Sequence, residues 1–519
     1  MIALAALAGP LPKAGVVAVA GLVAVVLLAN DRRIRALGAL GALLLAPVLL
    51  LDDIWSSPQL RLVHRHPLPA LVGALVALAA LAALAALIAR RPGLFGALAV
   101  LALPFRVPIQ AGGTTSNLLV PLYLVVAAGA LAQIVPALVG REPGRGQDGA
   151  GAPAYRSGWI ERLLALYVVL YGLQAIYSPD FEKALQQMVF FYVPFALLYW
   201  LLRGLRWTPR LVRTCVQLTA ALAVLFTAIG VVEYATKTII LNPKLVVAND
   251  LHTYFTVNSV FFDPDIFGRY LALVMILLAV LLLYERPKRE QLGVMVVLAI
   301  LWGGLVLTLS RSSLGALLVG LGVLAALRWR PSRALVVAVA VIALGVAAVA
   351  ISPNTFGLNQ GVNGASSGRG GLVSGGVALF GDRPLWGYGS GSFVDEYRAH
   401  HPRSSSVLSA SHTIPVTIAA EQGLIGLLAY IALVLMALVT LLRGARGDPV
   451  RGAVGAAFAA LVFHTMLYAD FLEDPVAWAL LGVGAALAAS RLQRRGVRPG
   501  DPAVDHERGG GDEARLVAG

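Results

Sequence analysis

LVALAALAALAAL, residues 75–87, holds no charge and no polar side chain, and it lies inside an apolar run from 69 to 88. A helix of about 20 apolar residues matches the hydrocarbon thickness of a bilayer. The Ala/Leu repetition is therefore bilayer composition, not a structural repeat. Outward from it, comparable runs fall at 14–29, 35–51, 93–105, 117–138, 159–176, 186–203, 211–232, 265–283, 291–309, 313–327, 334–351, 422–442, 451–469 and 475–490. The run at 93–105 is short, so the sequence predicts an all-α polytopic membrane protein of about 14–15 transmembrane helices. Composition agrees: the 519 residues are 58% hydrophobic and 13% charged, with mean hydropathy +0.80. Soluble domains rarely exceed half apolar.

The net charge of +14 is distributed in a way that argues against a nucleic-acid partner. Basic residues cluster in alternate short loops: Arg32, Arg33 and Arg35; Arg90 and Arg91; Arg203, Arg206 and Arg210; Arg286, Lys288 and Arg289. Further clusters are Arg328, Arg330 and Arg333; Arg443, Arg446 and Arg451; and Arg491, Arg494 and Arg495. The positive-inside rule puts these on the cytoplasmic side, with the C-terminal tail inside. None carries interleaved aromatics, as nucleic-acid recognition would need. The single cysteine, Cys215, lies in a span and reads as a small core residue. The N-terminus lacks a basic n-region, so its first span is expected to be retained.

The chain divides into N-terminal transmembrane helices (1–138), a cytoplasmic linker (139–158), central helices (159–351), an outer catalytic loop (352–421), C-terminal helices (422–490) and a disordered tail (491–519). No soluble catalytic domain is evident, so chemistry must come from loops and span ends. Three outer loops matter: 52–66, 233–268 and 352–411. Loops of the third one's length tend to be functional or disordered. Its start, NTFGLNQGVNGASSGRGG (354–371), reads as mobile, and the part from Leu379 onward is expected to fold against the membrane surface.

The polar island GDRPLWGYGSGSFVDEYRAHHPRSSSVLSASHTIPVTIAAEQGLIG, residues 381–426, is where this chain departs most from bilayer composition. Polar residues between spans mark where a membrane protein meets its substrate. Within it His412 follows Ser411, a plausible N-cap, and Pro415 is tolerated in a first helical turn. A histidine in that turn feels the positive end of the helix dipole, stays neutral near pH 7 and can take a proton from a hydroxyl. The competing reading is a capping or interfacial histidine. Ser310-Arg311-Ser312 ends the tenth span at the outer side. Arg311 there suits bidentate phosphate binding, against the plainer reading of a snorkelling anchor. Arg369 and Arg383, in the third outer loop, can join it in a cationic pocket for a departing pyrophosphate.

Glu421 orients His412, contacts substrate, or marks the interfacial end of a helix. Asp263 and Asp265, beside Pro264, form a turn signal first and a substrate contact second. His400 and His401 read as solvated, and His464, inside a span, as a packed histidine with a hydrogen-bond partner. Asp470, Glu473 and Asp474 read as an acidic outer hairpin, solvated or paired with the loop arginines. GYGSGSF (387–393) suggests a tight, backbone-exposed turn. It lacks the strand and helix context of a P-loop or dinucleotide fingerprint. No carboxylate cluster with metal-site spacing stands out, so no metal and no cofactor is expected.

Together, SRSSLG (310–315), Arg369 followed by FGDRPLWGYGSGSF (380–393), His412 ahead of AAEQGLIG (419–426), and DPDIFGRYLAL (263–273) resemble the O-antigen ligase and O-antigen polymerase superfamily of bacterial membrane glycosyltransferases. Two positions depart from its pattern: Thr413 follows His412 where Asn is usual, and Asp265 replaces the upstream Asn. The resemblance implies a GT-C-like helical membrane fold in the bacterial cytoplasmic (inner) membrane, with the active site on the outer side. It implies an inverting, metal-independent transfer in polysaccharide biosynthesis. The donor would be an undecaprenyl-pyrophosphate-linked glycan, and the acceptor a hydroxyl of a glycan or glycolipid. His412 would then activate the acceptor, Arg311 and Arg369 would bind the pyrophosphate, and Arg383, Glu421, Asp263 and Asp265 would contact substrate. Two alternatives stand beside a ligase: a polymerase of lipid-linked repeat units, and, from another class, a transporter or flippase.

Overall fold

The computed structural model describes residues 9–50, 65–111, 114–140, 155–240, 249, 255–283, 287–329, 332, 369–401, 411–468 and 470–496. The chain opens with α1 (Pro10–Leu28), α2 (Arg32–Leu49), α3 (Pro67–Arg90) and α4 (Gly93–Ala102). A two-stranded antiparallel hairpin follows, β1 (Val107–Ala111) and β2 (Thr114–Leu118), with Val107 opposite Leu118. Then come α5 (Val120–Leu138), α6 (Trp159–Ala175), α7 (Phe181–Gln187) and α8 (Val193–Gly204), the last two joined by a π-helical turn, Met188–Tyr192. The remainder is α9 (Pro209–Thr236), α10 (Pro264–Leu283), α11 (Lys288–Thr308), α12 (Arg311–Arg328), α13 (Arg369–Asp382), α14 (Phe393–His400), α15 (Ile414–Leu442), α16 (Pro449–Thr465) and α17 (Pro475–Gly496).

Every apolar run read from the sequence coincides with one of these helices except 334–351, which lies outside the described residues. Among the described residues, nine helices are long and apolar enough to cross a membrane. The protein is an all-α polytopic membrane protein with one small hairpin. α10 is buried on most sides, every residue from Leu271 to Ile276 included, as a central helix must be. In α3, by contrast, only Ala85 and Ile88 are buried, leaving an apolar surface suited to lipid.

α10 is the central post, packing on α9, α11, α12 and α16, while α8 packs on α17 and α15 on α6 and α16. The N-terminal helices are built into the same body, since α1 packs on α2 and α6. At its basic end the buried Arg35 donates to the Ala29 carbonyl at 3.0 Å, and its guanidinium lies 3.8 Å from the centre of the Tyr155 ring. Glu161 there accepts from the Tyr199 hydroxyl at 2.7 Å and pairs with Arg203 at 3.3 Å.

The helix directions separate two poles. α12 runs from Ser310 to Arg328, whose Nε donates to Leu283 at the end of α10; α15 ends at Arg443, whose carbonyl accepts from Arg451. Arg328, Arg443 and Arg451 therefore gather at one pole. The starts of α10, α12, α15 and α17 and the end of α16 gather at the other.

A polar cluster at the arginine-poor pole

The cluster starts from a sharp reversal. Leu309, in the left-handed region (φ 52°), closes α11, and Ser310 immediately caps α12 by accepting from the Ser313 amide at 3.2 Å. That two-residue connection presents three hydroxyls side by side. Ser310 and Ser313 oxygens are 2.7 Å apart, and Ser310 and Ser312 oxygens 3.1 Å. Across from them Asp263 opens α10: its carboxylate accepts from the Asp265 amide at 2.7 Å and its carbonyl from Phe267 at 3.1 Å. This brings the Asp265 carboxylate onto Ser310 and, at 3.1 Å, Ser312. Close approach of the two helices depends on Gly268, where an added Cβ would lie 2.7 Å from the Ser313 hydroxyl.

An anion at a helix N-terminus is favoured by the dipole, and Asp265 supplies one at the start of α12. His464, fully buried near the end of α16, completes the layer with Nε2 at 3.2 Å from Ser312 and 3.3 Å from Ser313.

Tyr468 stands between this layer and His412. Its ring centroid is 5.7 Å from that of His464 and 6.1 Å from that of His412, the latter at 64°. Its phenol interacts electrostatically with Asp263. Burial, then the Asp265 charge, pushes the Asp263 carboxyl up to about 6, and burial beside Asp263 raises the Tyr468 phenol.

His412 itself has φ 58° and sits two residues before α15. Thr413 caps that helix, because its carbonyl accepts from Val416 and Thr417, the first amides after the donor-less Pro415. The expected Ser411 N-cap with His412 in the first turn is thereby corrected. The Ser411 hydroxyl instead accepts from the Thr413 amide at 3.2 Å and meets the Thr417 hydroxyl at 2.7 Å, fixing the bend that carries His412.

The glycine turn is a docking device. Gly387, Gly389 and Gly391 all have positive φ (66°, 107° and 78°), a region L-residues rarely adopt. The turn lies in a break of α15 at Gly423 (φ 64°, ψ −163°). Tyr388 and Gly389 amides donate to the Ala420 and Glu421 carbonyls at 3.1 and 2.7 Å, and Leu424 donates to the Pro384 carbonyl at 2.7 Å. The buried Glu421 carboxylate accepts from Gly391 at 2.9 Å and Phe393 at 3.1 Å. These turn amides are committed to α15.

The arginines are less concentrated. Arg311 is exposed at the first position of α12, and Arg383 is exposed with its guanidinium 4.3 Å from the centre of the Tyr388 ring. Arg369 opens α13; its side chain lies outside the described residues. The structure thus brings Asp263, Asp265, His464 and His412 around Tyr468, with Ser310 bonded to Asp265, and sets Glu421 in the glycine turn. His400 contacts Tyr388, and His401 stacks on Tyr397.

The acidic hairpin is not a solvated feature. Asp474 is buried and pairs with Arg269 of α10 at 2.8 Å; Glu473 bonds Gln187, and burial raises its carboxyl. Asp470 and Glu473 are partly exposed, and Asp474 is buried. Arg269 and Tyr468 are the residues that sequence reading passed over. A charge inside an apolar span was the available signal for Arg269. Among the described residues no group of three or more His, Cys, Asp or Glu is placed to hold a metal ion. Behind the Arg269–Asp474 pair a cavity of about 1190 Å³ runs along α10, from those two residues to Arg213, Glu290 and Asp448 near the arginine-rich pole.

The fold and this cluster define a multi-pass membrane protein whose polar groups converge at one pole of a helical bundle. Residues 296–431 match the family model described as O-Antigen ligase, and this stretch carries the resemblance to the O-antigen ligase and polymerase superfamily. The matched residues include Ser310 to Ser313, the glycine turn, His412 and Glu421. Among curated proteins no relative matches the chain.

Proposed function

We propose that the protein transfers a glycan from undecaprenyl pyrophosphate to an acceptor sugar hydroxyl at the outer face of the bacterial cytoplasmic membrane, with inversion and without a metal. The observation that carries the reading is that the O-Antigen ligase match, 296–431, includes the starts of α12 and α15, the glycine turn and His412, which lie at the arginine-poor pole. The positive-inside rule makes that pole the outer one.

In this reading His412 takes the proton of the attacking acceptor hydroxyl as the oxygen displaces undecaprenyl pyrophosphate from the anomeric carbon. Attack opposite the leaving group gives inversion. Arg311 and Arg369 bind the pyrophosphate and stabilise the charge that develops as it leaves, the part a metal plays in other glycosyl transfer enzymes. Arg383 belongs at the edge of the same anionic site. Asp263 and Asp265 contribute through the hydroxyl layer and Tyr468, with substrate contact from their partly exposed edges, and the buried Glu421 contributes by holding the glycine turn.

The test is transfer by the purified protein in lipid, supplied with an undecaprenyl-pyrophosphate glycan and offered either a glycolipid core or a second lipid-linked repeat. Product on the glycolipid core in the presence of EDTA is expected. Product only on the lipid-linked repeat would make the protein a polymerase, and dependence on a divalent ion would refute the metal-free mechanism.

A further inference from the structure

The Tyr468 ring meets that of His412 edge to face. Tyr468 lies in the short connection between α16 and α17 with neighbours on three sides. Its phenol interacts electrostatically with Asp263. One side of its ring packs against His464, itself fixed by Ser312 and Ser313. The Arg269 guanidinium lies 5.9 Å from its centre, and Arg269 is fixed in turn by Asp474. A tyrosine so anchored cannot readily change rotamer. His412 sits in a left-handed bend with the Tyr468 ring at 64° to its own, an edge-to-face arrangement that aromatic pairs favour.

We propose that Tyr468 is the positioning residue of the site: anchored by Asp263, His464 and Arg269, it holds the His412 imidazole in one orientation toward the acceptor hydroxyl. The inference rests on His412 being the base. A misplacement of about 1 Å in a reacting group can cost about a hundredfold in rate, so a rigid neighbour has kinetic consequences without touching substrate. Asp263 and Ser310 to Ser313, although remote in sequence from His412, then act on it through one ring.

Two variants separate ring from hydroxyl. Tyr468→Phe keeps the edge-to-face contact and removes the hydroxyl that interacts with Asp263; Tyr468→Leu removes both. Each is compared with wild type in lipid nanodiscs by two readouts. The first is nitrogen NMR of ring-labelled histidine, with the His412 signal assigned from a His412→Gln variant. The second is the kinetics of glycan transfer. Expected is a single His412 signal in wild type, displaced in Tyr468→Phe and split or broadened in Tyr468→Leu. In parallel kcat should fall about threefold and at least about tenfold, with KM unchanged in both. Unchanged signals from the histidines other than His412 and His464 report that the fold is intact.

An unchanged His412 signal in Tyr468→Leu would overturn the proposal, as would a loss expressed in KM alone. If wild type transfers nothing, the transfer reading fails, and the NMR comparison still decides whether Tyr468 orients His412.

Discussion

His412 is unusual first as a backbone. Of the five described non-glycine residues with positive φ, His412, Leu309, Ser259 and Asp470 lie in the loops and helix ends of the arginine-poor pole. Such conformations cost about 1 kcal/mol or more each and persist where the surroundings over-determine them. The strain at His412 has a direct check. His412→Gly and His412→Ala both remove the imidazole, but only glycine is at ease at φ 58°. The glycine variant should therefore be more stable than the alanine variant by about 1 kcal/mol in detergent unfolding. Equal stability would mean that the bend is not held in the left-handed region.

Asp263 gives a pH signature. Its carboxyl is raised by burial to about 6, above the ordinary value, so folding favours its protonated form. The resulting stability is fully present below about pH 4 and is lost as pH rises through about 6, by up to about 3 kcal/mol. Unfolding midpoints should accordingly fall more steeply between pH 4 and 7 in wild type than in Asp263→Asn. Parallel profiles would contradict this environment for Asp263.

At the scale of elements, the glycine turn and the break in α15 are one unit. A Cβ on Gly387 would fall 2.3 Å from the Glu421 carbonyl oxygen, and one on Gly423 2.4 Å from the Leu385 backbone. Neither neighbour is a flexible side chain. Gly387→Ala should cost more than about 2 kcal/mol of stability, while Gly381→Ala, with nothing within 4 Å, should change it by less than about 0.5 kcal/mol. Similar effects for both would show that the turn is not docked as described.

The same unit shows what sequence reading could reach. The alternating glycines of 387–391 announced a tight turn, because little else tolerates positive φ. That its Tyr388, Gly389 and Gly391 amides are taken by Ala420 and Glu421 of the broken α15 depends on a contact across thirty residues. Helical runs were legible because bilayer composition is local. His464 was read as a packed histidine with a partner, but its partners Ser312 and Ser313 lie on another helix. Asp474 carried the sign of a solvated loop acid, and only the approach of α10 makes it the buried partner of Arg269. Tyr468 carried no signal beyond standing four residues after His464.

At the scale of the whole molecule, the arginines at one pole and the hydroxyl, carboxylate and imidazole cluster at the other make sidedness the first physical prediction. Cys215 is buried, so the wild-type chain is a quiet background for thiol labelling. Trp386, 57% exposed, lies beside the glycine turn, and Trp329, 41% exposed, ends α12 at the arginine-rich pole. Trp386→Cys in intact spheroplasts should react with an impermeant maleimide, and Trp329→Cys only after permeabilisation. The reverse pattern would place the cluster on the cytoplasmic side and remove it from an outer-face substrate.

The most direct test of the central claim is transfer from an undecaprenyl-pyrophosphate glycan, with EDTA present, by wild type, His412→Ala and Arg311→Ala in nanodiscs. Loss of a general base contributes about 10²–10⁴-fold. The account predicts product from wild type, a loss of that size in His412→Ala, and a comparable loss in Arg311→Ala, with all three proteins folded. Activity in His412→Ala within about threefold of wild type would contradict it, because the base would then lie elsewhere.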